Sequence, residues 1–143
     1  MNVILMATER SALQDAIAAA ERGNRGEIRV HIESRYPGDG PLGRAEALYQ
    51  ELGMAKTRDD TGVLLYVAER DHKAAVFAGT GVYGARKPEL WKEIAAAVAQ
   101  GYAFGDRVSG LVRALTMIGD ILRETAPGDD LAGDELPNKV TTG

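Results

Sequence analysis

Cysteine is absent from this chain, which removes disulfides, thiol nucleophiles and thiolate metal sites together. Histidine is scarce: His31 and His72 are the two present, and they form no pair at metal-ligand spacing. No Ser-His-Asp arrangement stands in a motif context, and the phosphate-binding GxxxxGKS/T pattern is missing. An excess of positive charge is lacking too. Against 21 acidic residues the chain sets 17 lysines and arginines, a net charge of −4, so the concentrated basic face that nucleic acid requires is not expected. No apolar run approaches the roughly 18 residues of a spanning helix. The Val3–Ala7 run has no basic segment before it and is shorter than the core of a signal peptide. These absences lead to the expectation of a soluble, cytoplasmic protein that neither spans a membrane nor binds nucleic acid.

What is present has the balance of an ordinary globular domain, 45% apolar and 27% charged. A chain of 143 residues buries roughly two-thirds of its unfolded surface and needs no staples. The expected division is a short N-terminal segment (1–7), one domain (8–126) and an extended C-terminal arm (127–143), where Pro, Gly and Asp dominate. Leu131, Leu136 and Val140 are the arm residues able to dock on the body.

The centre of the pattern is Val63-Leu64-Leu65-Tyr66-Val67, an apolar run too short for a helix and bounded by Gly62 and Glu69-Arg70-Asp71-His72. The polar tetrad is a turn, and Ala74–Ala78 returns antiparallel, which makes a hairpin. Its far end brings Gly79-Thr80-Gly81 beside Arg58-Asp59-Asp60. Upstream, Thr8–Arg22 reads as a helix with Thr8 as N-cap. Glu27–Glu33 alternates apolar and polar residues as a half-buried strand with His31 on its polar phase. Tyr36–Pro41 is a loop, and Gly43–Leu52 a second helix. Downstream, Pro88 opens a helix that gives way near Gly101, and Asp106 caps the longest amphipathic stripe, Val108 to Leu122. This order predicts an α/β sandwich with a small mixed β-sheet and helices on both faces.

The residues Ala20-Glu21, Gly26–Val30, Leu52-Gly53-Met54 with Thr57, and Gly62–Val67 form an ordered set. It continues through Trp91 with Ile94, Phe104-Gly105, Gly110-Leu111 and Asp134–Asn138. In this the chain resembles the TPM domain family, named for a thylakoid lumen phosphatase, a photosystem II repair protein and an acetylcholine-receptor modulator. The resemblance implies a Rossmann-like three-layer α/β/α sandwich. It also implies one of two activities, because some relatives are described as acid phosphatases or calcium binders and others as interaction modules. The chain departs from the family's commoner form at Thr80–Gly84, where a carboxylate is usual, and is expected to differ from it also in having neither export signal nor membrane anchor.

Asp59 and Asp60 suit a hard cation such as Ca²⁺ or Mg²⁺, and the Gly79-Thr80-Gly81 amides beside the helix start at Pro88 suit an anion. The same residues also serve as turn chemistry at a strand entry and exit. Lys56, Arg58, Arg86 and Lys87 border this end. Other polar groups have plainer readings: His72 in a hairpin turn, His31 with Glu27, Arg29 and Glu33 on an exposed strand face, and Asp129-Asp130 and Asp134-Glu135 in a solvated arm. Trp91, Tyr102 and Phe104 are expected as core or groove aromatics. The function expected is a non-catalytic binding module, chaperone-like or in membrane-protein maintenance, that takes a divalent cation and meets a protein partner. The alternative is a metal-assisted phosphatase acting on a phosphate-bearing small molecule.

Overall fold

Branched and aromatic side chains pack well on a pleated surface, and the central run is a strand, β2 (Gly62–Ala68), with every residue buried. The computed structural model describes residues 2–56, 58–83, 88–128 and 139–143. β3 (Lys73–Ala78) returns antiparallel across the Glu69–His72 turn, pairing Val63 with Ala78 and Ala68 with Lys73. On the other side β1 (Glu27–Glu33) runs parallel to β2, and β4 (Val140–Thr142) runs parallel to β1, giving the order β3-β2-β1-β4. An extended arm is expected from residue 127, with Val140 among the residues able to dock on the body; its last residues do so as a strand that completes the sheet. Val140 is buried, the Val30 amide donates to the Lys139 carbonyl (2.8 Å), and the Gly143 amide to the Ile32 carbonyl (3.0 Å). Leu131 and Leu136 lie outside the described residues.

Among the described residues five α-helices accompany this sheet: α1 (Ala7–Glu21), α2 (Pro41–Glu51), the short α3 (Thr80–Tyr83), α4 (Pro88–Ala103) and α5 (Arg107–Thr125). α1, α4 and α5 bury Leu13, Ile17, Ile94, Val98, Leu111 and Leu115 against the apolar phase of the strands. α2 lies on the opposite face, packing Ala45, Leu48 and Tyr49 on Leu64, Tyr66 and Ala75. The result is the three-layer α/β/α sandwich expected. Asp106 caps α5 by accepting the Ser109 amide (3.0 Å).

Some boundaries move for identifiable reasons. α1 starts at Ala7 rather than after Thr8, because Glu9 reaches back to accept the Met6 amide (3.0 Å). α2 starts at Pro41, whose fixed φ suits a first turn. α4 runs through Gly101 to Ala103. That glycine is a contact point, since a Cβ there would stand 2.6 Å from the Cα of Gly110 in α5. The largest correction concerns β1. It is buried on both faces, with Glu27, Arg29, His31 and Glu33 each below a tenth exposed.

Arg107 ties the ends of several elements together. Its guanidinium donates to both oxygens of Glu9 (2.9 Å each), to Glu69 (2.7 Å) and to the Ile4 carbonyl (2.8 Å), while the Tyr102 hydroxyl donates to the same Glu69 oxygen (2.6 Å). The Arg107 hydrogen bonds, then the Met6 amide, hold the Glu9 carboxyl down to about 2 from an ordinary 4.5. Stability from this group is therefore complete above the ordinary value and is lost as pH falls toward the folded one. Glu9→Gln is expected to lower Tm at pH 7 and to flatten its fall between about pH 5 and 2.5. Parallel wild-type and variant curves in thermal melts would remove Glu9 as a source of acid sensitivity.

Candidate functional site

Two single-turn 3₁₀ segments, Met54–Lys56 and Arg58–Asp60, join α2 to β2, and the second turns left-handed, with φ of +64° at Asp59 and +49° at Asp60. Aspartate tolerates this region better than most residues. The turn sends the Asp60 carboxylate across to the exit of β3. There Oδ2 accepts the Thr80 amide (3.0 Å) and hydroxyl (2.9 Å), and Oδ1 accepts the Tyr49 hydroxyl (2.8 Å). Gly79 and Gly81 wall the same space. A Cβ on Gly79 would fall 2.2 Å from the Asp60 carbonyl oxygen, and one on Gly81 2.3 Å from that of Asp59. Both glycines are thus required by close approach, and both aspartate carbonyls face the loop.

Burial raises the Asp60 carboxyl, but the Thr80 amide, Tyr49 hydroxyl and Thr80 hydroxyl outweigh it and hold the group below its ordinary value. Burial, then the bond to Asp60, pushes the Tyr49 hydroxyl well upward. Asp60 stays ionised and Tyr49 stays a donor. Asp59 turns its carboxylate outward to Arg25 (2.7 Å), and both side chains are well exposed. Such a surface pair contributes about 0–1 kcal/mol. Among the described residues no three carboxylate or imidazole side chains gather closely enough to hold a metal ion by themselves.

The Thr80 amide, expected to meet an external anion, opens α3 and receives the chain's own Asp60 carboxylate. Lys56 is exposed at this end, whereas the Arg58 side chain, Arg86 and Lys87 lie outside the described residues, as do Asp129, Asp130, Asp134 and Glu135. Trp91 is in the core and Tyr102 is held by Glu69, but Phe104, expected in core or groove, stands 86% exposed. His72 sits at the other end of β2, about 20 Å away at the rise of seven strand residues.

A second polar group, on the strand face expected to be exposed, is buried. On β1, Glu33 receives Arg44 from α2 in a two-pronged contact (2.9 and 3.1 Å) together with the Tyr66 hydroxyl. His31 shares a hydrogen bond with Thr141 of β4 (2.7 Å), while its Nε2 stands 3.5 Å from Glu33, beyond hydrogen-bond length. Burial first, opposed by Glu33, holds His31 below its ordinary 6.5. Glu27 pairs with Lys139 (2.7 Å), which also reaches Glu21 (3.1 Å). One signal was present in the sequence: four consecutive polar-phase positions of one strand carry ionisable groups of both signs.

Similar proteins agree with this architecture. The solution structure of BA42 from the psychrophilic bacterium Bizionia argentinensis is 30% identical, covers 97% of this chain and 95% of its own, and superposes with a TM-score of 0.83. Two further solution structures share the fold at lower identity. The N-terminal domain of cg2496 from Corynebacterium glutamicum is 14% identical over 87% of this chain and 78% of that one, with a TM-score of 0.64. The N-terminal domain of a P. gingivalis protein is 15% identical over 85% and 78%, with a TM-score of 0.69. No curated protein sequence matches the chain. No helix among the described residues is long and apolar enough to cross a membrane. The model of the TPM domain matches residues 2–121, and on that match the chain belongs to the TPM domain family.

Proposed function

We propose that this chain is a non-catalytic binding module that holds a divalent cation, Ca²⁺ or Mg²⁺, at the Asp59-Asp60 turn and serves a protein partner. The observation that carries the reading is the convergence of oxygens at the glycine wall: the Asp59 and Asp60 carbonyls and the Asp60 carboxylate. Hard cations take six to eight oxygen ligands and accept backbone carbonyls readily, so a site with few carboxylates suits Ca²⁺ when waters complete it. In this reading Gly79 and Gly81 matter as wall, and the Thr80 hydroxyl is one more oxygen. Large apolar side chains, Ile4, Met6, Leu42 and Phe104, stand more than half exposed as surface for a partner in a chaperone-like or membrane-protein maintenance role.

Metal-assisted phosphomonoester hydrolysis, the alternative, needs a proton donor for the leaving group. At this end Asp60 stays ionised, while Tyr49 is a donor already committed to Asp60. The test combines thermal melts with and without Ca²⁺ or Mg²⁺, and p-nitrophenyl phosphate turnover, on wild type and Asp60→Asn. Ca²⁺ at a hundredfold over Kd is expected to stabilise wild type by about 2.7 kcal/mol and the variant far less, with no turnover in either. A wild type indifferent to both cations would remove the site. Turnover abolished by Asp60→Asn would replace the module with the hydrolase.

A further inference from the structure

A cleft of about 650 Å³ opens at the opposite end of the sheet, where β1 and β2 finish, and Arg35, Arg70, His72, Tyr102 and Arg107 line it. A small slot of about 30 Å³ adjoins it, sharing Glu69, His72 and Tyr102 and floored by Val67, Ala74, Val98 and Ala99. Ligands of open α/β sheets characteristically bind outside the carboxyl ends of the parallel strands.

Most charges here are already engaged. Glu9 and Glu69 hold Arg107, Asp106 caps α5, and Arg35 pairs with Asp71 (2.9 Å). Arg70, His72 and, at the slot, Lys73 make no side-chain hydrogen bond or ion pair among the described residues. His72 is presented to the cleft from a left-handed backbone (φ +54°), a position glycine would occupy more easily. The groups left uncommitted are therefore two exposed cations, Arg70 and Lys73, and the exposed His72 ring, beside an apolar slot. Formal charges around the cleft nearly cancel, so attraction grows only in proportion to a ligand's charge while the cost of stripping its water grows as the square, and a monoanion is favoured over a dianion.

We propose that this cleft binds a small monocarboxylate, its carboxylate held by Arg70 and His72 and its chain lying in the cleft so that the terminal methyl enters the slot between Val67, Ala74, Val98 and Ala99, which has room for about one such group. The planar guanidinium fork of Arg70 matches a carboxylate in shape as well as charge. This site is separate from the cation turn, about 20 Å away along β2.

The test is an amide NMR titration of the full chain with sodium butyrate, run beside acetate, inorganic phosphate and butylammonium at matched ionic strength. Butyrate is expected to give saturable shifts at Arg70–Lys73 and Gly105–Val108, with acetate and phosphate at least fivefold weaker. Arg70→Ala is expected to weaken butyrate at least tenfold with Tm unchanged. His72→Gly is expected to weaken it while holding or raising Tm, which a structural role for His72 would not produce. Asp60→Asn should leave the titration as it is, so failure of the cation site does not imitate failure of this one. The proposal is overturned by absence of saturable shifts, by shifts outside the cleft, by phosphate or butylammonium binding as tightly as butyrate, or by an Arg70→Ala titration equal to wild type.

Discussion

Gly79→Ala is expected to lower stability by about 2–3 kcal/mol, roughly 6–10 °C in Tm, and to abolish any cation response at the Asp60 turn. The added methyl carbon would lie 2.2 Å from the Asp60 carbonyl oxygen and 2.5 Å from both Asp60 Oδ1 and the Tyr49 hydroxyl. The backbone is not the obstacle, because Gly79 is not among the glycines with positive φ. The cost is overpacking against fixed oxygens. Gly43→Ala is the matched control: it lies in α2 with nothing within 4 Å of an added Cβ, and helix propensity favours alanine there by up to about 1 kcal/mol. One substitution type should thus act with opposite signs at two sites in urea or thermal melts. An unchanged Tm and an intact Ca²⁺ response in Gly79→Ala would mean that the turn yields, and that the glycine wall does not shape the site.

Glu33→Ala should be at least as damaging, at about 3 kcal/mol. The carboxylate is nine-tenths buried and satisfies Arg44 and Tyr66 at once. Its removal leaves the Tyr66 hydroxyl without this acceptor and Arg44 to find water through the fifth of its side chain that is exposed. The Glu33→Leu/Arg44→Met double variant is expected to recover at least half of the loss, because removing both partners spares the uncompensated charge. Asp120→Ala, which breaks an exposed pair with Arg123, should change stability by about 0.5 kcal/mol or less. Burial raises the Glu33 carboxyl, but the Arg44 and Tyr66 hydrogen bonds outweigh it and hold it low; its stabilisation is therefore present above the ordinary carboxylate range and lost on acidification. A single-variant loss below about 1 kcal/mol in urea titrations would show that Arg44 and Tyr66 rehydrate at little cost.

The hairpin from Gly62 to Ala78 was legible because its chemistry is local: an apolar run, a polar turn and a second apolar run need no distant partner to be recognised. The Asp106 cap and the α5 stripe were legible for the same reason. The approach of Gly79-Thr80-Gly81 to Asp59-Asp60 was also foreseeable, since an antiparallel return must bring its exit back to the entry. Which donors would use the Asp60 carboxylate was not, because Tyr49 reaches it from a different layer. The polar phase of β1 misled for a related reason. Alternation of apolar and charged residues describes a half-exposed strand only if one face meets water, and the charged face of β1 is closed by Arg44 from α2, Tyr66 from β2 and Thr141 from β4.

By itself the sequence determined the class of fold, the central hairpin, the best helices and the meeting of two aspartates with a glycine loop, all consequences of local pattern and chain reversal. Only the tertiary structure decided that four ionisable residues of β1 are buried. It likewise decided that the Thr80 amide belongs to Asp60 and that Arg70 and His72 face a cleft at the far end of the sheet. Those outcomes depend on strand order and on which layer covers which face, and neither is written in the spacing of neighbouring residues.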